Sequence, residues 1–165
     1  MSVAFRRESD EEHLEPRFEL PIPPGPNLVT PRGLRQIQAR HDALEASLGR
    51  ELSEDERKMV SREARYWRQR LTSAQLAPHP DGERVAIGTR VSFLQDGRPR
   101  TIHVVGHDES EPAAGRIAFT APLARALLDA EVGDEVEFAG SNQPLCITSI
   151  EISADADGEF PNSDR

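Results

Sequence analysis

The sequence is poor in the residues from which small proteins build staples and reactive centres. It holds a single cysteine, Cys146, which excludes an internal disulfide and any zinc site made of several cysteines. One lone thiol fits a reducing compartment. No apolar run approaches the ~18 residues that a membrane helix requires, so no membrane contact is expected. Phe5-Arg6-Arg7-Glu8 leads straight into acids, without the apolar stretch of a secretion signal. The expectation is a small, soluble, cytoplasmic chain. No glycine-rich phosphate loop, G-x-S-x-G, H-E-x-x-H or C-x-x-C occurs. His103 and His107 are four apart, but in strand and turn that spacing does not place them on one face. The chain therefore reads as a binding protein and not an enzyme, with no cofactor and no metal of its own.

Positive charge is scarce as well. Against 29 Asp and Glu stand 20 Lys and Arg, a net charge of −9 that argues against a general nucleic-acid binder. Residues 1–27, 78–152 and 153–165 are each net negative, and only 28–77 is net positive.

What is present divides the chain into four parts. Residues 1–27 combine five prolines with an acid-rich stretch, and proline removes backbone donors and fixes φ, so a disordered or extended arm is expected. Thr30-Pro31 reads as an N-cap followed by proline at the first helical position. Leu34, Ile37, His41, Leu44 and Leu48 then recur at steps of three and four, the seam of a helix that stops near Gly49. Ser53 and Glu56 form a capping box for a second helix, whose seam is Val60, Ala64, Trp67, Leu71 and Ala74. Two seamed helices so closely joined fold back as an antiparallel hairpin over 28–77. Lys58, Arg62 and Arg65 fall opposite the second seam, as a solvated face.

Beyond Pro80 the period changes to two. Val91, Phe93 and Thr101–Val105 read as strands around an Asp96-Gly97 hairpin turn. Arg116–Thr120 is a further strand, and Pro122–Ala130 a short helix with Leu123, Ala126 and Leu127 on one face. Glu135–Phe138 and Leu145–Ile152 complete a sheet in which Cys146 is expected to be core. The fold class is α+β, with a β-rich domain over 78–152 and a disordered acidic tail over 153–165.

One group of acids is unusually placed: Glu51, Glu54, Asp55 and Glu56 sit at the hairpin tip. Acids stabilise a helix N-terminus through its dipole and cap. That is the favoured reading; the other is that several carboxylates on a tip are presented to a metal ion.

Together these segments resemble the Gre family of bacterial transcript-cleavage factors, in its GreB-like branch. The opening Met1-Ser2-Val3-Ala4-Phe5-Arg6-Arg7-Glu8 is similar to the leader of GreB-like proteins. Val29-Thr30-Pro31-Arg32-Gly33 resembles the I-T-P-x-G start of the family's first coil helix, and Arg62 to Leu71 resembles the R-x-I-R-F-x-x-x-R-L end of the second. The most specific stretch runs from Val104-Val105-Gly106 through Asp108-Glu109, Gly115-Arg116-Ile117 and Ala121-Pro122-Leu123-Ala124-Arg125-Ala126-Leu127-Leu128 to Val132-Gly133-Asp134-Glu135-Val136. It resembles I-V-G-x-D-E, G-x-I, S-P-L-A-R-A-L-L and V-G-D-E-V of the family's C-terminal domain.

The resemblance implies an FKBP-like C-terminal domain that docks on RNA polymerase at the rim of its secondary channel, here through Thr120, Ala121, Pro122 and Arg125. It implies that the coil enters the channel and that its tip acids help hold a second magnesium ion at the polymerase active site, where metal-activated water cleaves a backtracked transcript. The polymerase is then the enzyme and the sole partner. Nucleic acid would be met only inside that complex, and the factor is expected to be a monomer.

Two features depart from the family pattern. Glu51-Leu52-Ser53-Glu54-Asp55 stands where the family has D-L-S-E-N, so Glu51 and Glu54 would take the metal-facing places, yet Thr30 reaches Glu51 in only 21 steps. Full-length relatives use roughly a dozen more, which at ~1.5 Å per helical residue is on the order of 20 Å of reach. Ahead of Pro122, Thr120 and Ala121 replace the usual polar residues. The expected function is thus a polymerase-binding regulator whose hairpin is too short for strong cleavage stimulation. The alternatives are a full cleavage factor, an adaptor with no polymerase partner, and a peptidyl-prolyl isomerase. The last is disfavoured because no Trp or Tyr lies between Pro78 and Ile152 to build a proline pocket.

Overall fold

The structure is a computed structural model that describes residues 19–158. Most of the expected arm and the end of the expected tail lie outside the described residues. From Glu19 to Asn27 there is no helix or strand. Strand β1 (Leu28–Val29) then leads into helix α1 (Pro31–Leu48), followed by α2 (Glu54–Ser73) and β2 (Gln75–Leu76). β1 and β2 pair in parallel, so the two feet of the hairpin are tied together.

The caps form where local sequence places them. Thr30 Oγ1 accepts from Gly33 N at 3.0 Å with Pro31 in the first turn. Ser53 Oγ accepts from Glu56 N at 3.2 Å, while the Glu56 carboxylate accepts from Ser53 N at 2.9 Å, a complete capping box. Along the seam only Ile37 and Ala64 are fully buried. Leu34, His41, Leu44, Leu48, Val60, Trp67 and Leu71 are half-buried, because a two-helix layer covers each seam from one side only.

The β-rich part is a five-stranded mixed sheet of order β5-β4-β3-β7-β6. Its strands are β3 (Thr89–Gln95), β4 (Arg98–Val105), β5 (Arg116–Ala118), β6 (Glu135–Val136) and β7 (Leu145–Ile152), with the short helix α3 (Pro122–Leu127) between β5 and β6. β3 and β4 form the expected hairpin, with Asp96 and Gly97 at φ 50° and 78°, the left-handed pair of a tight type I′ turn. The β3–β7 register shifts between Ser92 and Phe93, skipping Thr148 in a bulge. The core gathers Val91, Phe93, Ile102, Val104, Leu145 and Ile147 from the strands against Leu123, Ala124 and Leu127 of α3.

Three expectations are corrected. Cys146 is not core: it lies between buried Leu145 and Ile147 on a strand of period two and is half-exposed on the opposite face. On α3 it is Ala124, and not Ala126, that shares the buried face with Leu123 and Leu127. The segment expected to be disordered from 153 is instead part of the fold as far as Gly158: β7 runs into a 3₁₀ turn, Ala154–Ala156, in which Ser153, Asp155 and Ala156 are buried. No described helix is long and apolar enough to cross a membrane.

Candidate functional site

Two surfaces flagged by the sequence are separated by the length of the hairpin. The tip holds Glu51 in the inter-helix loop and Glu54, Asp55 and Glu56 in the first turn of α2, all exposed. Burial is not what organises this loop. Arg57 donates to the carbonyls of Leu48 and Arg50 at 3.3 and 3.4 Å, satisfying oxygens freed at the end of α1. Glu56 is committed to the cap, and the hydrogen bonds from Ser53 hold its carboxyl below the usual range. Glu51, Glu54 and Asp55 remain facing solvent. Among the described residues no group of three or more His, Cys, Asp or Glu side chains converges as a metal site. His103 is half-buried on β4 and His107 is exposed in the turn after it.

The second surface is the turn into α3. Thr120, Pro122 and Arg125 are exposed and Ala121 is half-buried, with Ala121 N bonded to Ala118 O at 2.9 Å. Proline in the first turn needs no donor, and Leu123, Ala124 and Leu127 seat the helix in the core. The turn is thereby held rigidly outward.

Between tip and turn lies a polar joint whose role sequence reasoning did not assign, although its residues lie within the motif stretches quoted above. Asp108 and Glu109 follow the buried end of β4 and point back into the hairpin base. Asp108 Oδ2 accepts from Arg70 Nε at 2.6 Å and Oδ1 from Tyr66 Oη at 2.5 Å. Arg70 also donates to Asn27 Oδ1 at 2.7 Å, and Asn27 returns a bond to the Arg70 carbonyl at 2.8 Å. Burial and then the Asp108 carboxylate push the Tyr66 phenol well above its ordinary pKa, so it stays a donor. Glu109, 4% exposed, accepts from Thr30 Oγ1 at 2.5 Å, Thr30 N at 3.2 Å and Gly106 N at 3.0 Å. That carboxylate sits at the N-terminus of α1, where the helix dipole favours negative charge. A Cβ on Gly33 would lie 2.3 Å from the Glu109 Cδ, so residue 33 must be glycine for the carboxylate to approach.

A third tie comes from the unexpected C-terminal turn. Asp155 accepts from Arg116 Nε and Nη2 at 3.2 and 3.3 Å and lies 3.6 Å from Arg32 Nε on α1. The only signal available in sequence was the type of residue: an arginine next to an apolar seam (Arg70) and acids directly after a buried strand (Asp108, Glu109). Each needs an opposite charge that spacing alone cannot name. The joint fixes the direction of the hairpin relative to the α3 turn.

The C-terminal domain model "Transcription elongation factor, GreA/GreB, C-term" matches residues 79–153. The transcription elongation factor GreA of Oenococcus oeni is 31% identical over 151 positions, spanning 76% of this chain and 93% of the relative. The chain belongs to the GreA/GreB family of transcription elongation factors. The transcription elongation factor GreB of Neisseria meningitidis is 36% identical over 98 residues, covering 56% of this chain and 58% of the relative. Among solved structures, the GreA factor homolog Gfh1 of Thermus thermophilus aligns over 77% of this chain and 99% of its own, at a TM-score of 0.38 and 15% identity. Asp108, Glu109 and Arg116 of the joint fall inside the GreA/GreB match, whereas the hairpin tip lies outside it.

Proposed function

We propose that this Gre-family elongation factor works in the cytoplasm as a monomer, docking on RNA polymerase at the secondary channel through Thr120, Ala121, Pro122 and Arg125. It is not an enzyme and carries no cofactor; it meets nucleic acid only inside the complex, and its hairpin is too short to stimulate transcript cleavage strongly. The observation that carries this reading is the length of the arms. α1 has 18 residues and α2 has 20, so each extends only about 27–30 Å from the joint. A carboxylate ligates magnesium directly only at about 2.0–2.1 Å, so a tip that stops well short contributes nothing to a metal site. Such a factor occupies the channel and excludes longer ones.

The test has two steps. Pull-down on core polymerase should capture the wild-type protein and lose it when Pro122 is replaced by aspartate. A stalled, backtracked complex should then show little added cleavage, equal for wild type and for a Glu51→Ala, Glu54→Ala variant. Strong cleavage that the double variant abolishes would restore the full cleavage-factor reading, for which the exposed Glu51 and Glu54 are the supporting observation.

A further inference from the structure

The proline-rich segment ahead of β1 runs along the body with Leu20–Pro26 exposed except for half-buried Pro23. It is held by a surface ion pair at one end and by buried hydrogen bonds at the other. Glu19 accepts from Arg65 Nε at 3.1 Å and Nη2 at 2.5 Å, and buried Asn27 is locked to Arg70. Between these anchors Pro23, Pro24 and Pro26 line a groove of about 530 Å³. Phe119 and Leu128 of the C-terminal domain, and Thr120 and Arg125 of the α3 turn, also line it. The groove thus opens on the residues assigned above to docking.

Three features specify an occupant. Apolar side chains dominate the lining. Among the described residues no carboxylate lines the groove, in a chain whose net charge is −9. The Arg70 guanidinium is already spent on Asp108, whereas Arg125 is exposed and His107 adds a ring nitrogen at the rim. The complement is an apolar side chain flanked by carboxylates. Proline rings have fixed φ, so this wall loses little freedom on binding.

We propose that Leu20–Pro26 is a second docking element for RNA polymerase. With Phe119 and Leu128 it forms a slot for an apolar side chain on an acidic patch of the polymerase surface, and Arg125 pairs with a carboxylate of that patch. The proposal rests on the docking reading above and extends the contact from the α3 turn to the arm.

The experiment uses the full chain and core polymerase, with affinity measured by biolayer interferometry at two salt concentrations. The variant Pro23→Gly, Pro24→Gly, Pro26→Gly dissolves the wall while keeping Asn27 and Thr30. It should bind tenfold or more weakly at an unchanged Tm. Arg125→Gln should weaken binding and flatten its salt dependence. If the triple variant loses Tm, the exposed single change Pro24→Glu replaces it and should weaken binding in the same direction by placing a carboxylate in the slot. Wild-type binding matched within twofold by the folded arm variant would overturn the inference and leave the docking reading standing. No wild-type binding would overturn both. Self-association abolished by the arm variant, with polymerase affinity unchanged, would assign the groove to a second copy and also overturn the proposal.

Discussion

Arg70 Nε lies 2.6 Å from Asp108 Oδ2, and the two side chains, from α2 and from the turn after β4, are only 3% and 4% exposed. A charge pair this dry joins the hairpin to the sheet without a large apolar contact. Removing one partner strands the other in a low dielectric. Asp108→Ala should therefore lower stability by about 3–5 kcal/mol. An Arg70→Met, Asp108→Leu double variant should lose much less, because neither charge is left unpaired. Urea unfolding of the two variants checks this, and equal losses would show that the joint is held by something else.

Gly33 faces Glu109 where a Cβ would come within 2.3 Å of the carboxyl carbon. Alanine is the better helix former, so on propensity alone Gly33→Ala should stabilise α1. The clash reverses that sign. The carboxylate must retreat, loosening its bonds to Thr30 and Gly106, and a loss of about 1–3 kcal/mol is expected. A rise in Tm would refute the close approach.

Trp67 is half-buried, with the Arg40 guanidinium 5.7 Å from its ring centroid. Full burial would make Trp67→Ala worth about 3–5 kcal/mol. One ring face covered by an arginine leaves a smaller loss, about 1–3 kcal/mol. Arg40→Ala alone should cost about 0.5–1 kcal/mol. Since Trp67 is the only tryptophan, intrinsic fluorescence of the folded protein should shift in that variant.

His103 titrates below its ordinary value of 6.5 because burial disfavours the charged ring; Asp155, 3.9 Å away, pulls the other way, and Arg116, Arg90 and Arg32 add to the lowering. Its Nδ1 is hydrogen-bonded to Ser153 Oγ at 2.9 Å. A lowered folded pKa means that the unfolded chain takes up the proton first. The contribution of neutral His103 is therefore fully present above about pH 6.5 and is lost as pH falls through the folded pKa. Urea midpoints measured from pH 8 down to pH 5 should decline less steeply for His103→Gln than for wild type. Parallel slopes would exclude His103 as the source.

What the sequence decided by itself is what neighbours in the chain decide. Thr30-Pro31 and Ser53 to Glu56 cap helices through bonds spanning three residues, Asp96-Gly97 turns a hairpin, and seams at three and four residues define α1 and α2. Cys146 escaped this logic, since one residue of register sends a strand side chain to the other face. Trp67 escaped it too, because its exposure depends on how much a two-helix layer can cover. The joint was not legible. Asn27, Arg70, Asp108, Glu109 and Asp155 are polar residues that local patterning assigns to solvent, and the segment from Ser153 has a composition that reads as disordered. Their partners are 38 to 79 residues away in the cases of Arg70–Asp108 and Thr30–Glu109. Only the closed chain brings opposite charges and helix N-termini to them. A buried charge is tolerable once it is paired, and which pair forms is settled by the tertiary structure, because sequence spacing carries no information about distance across the fold.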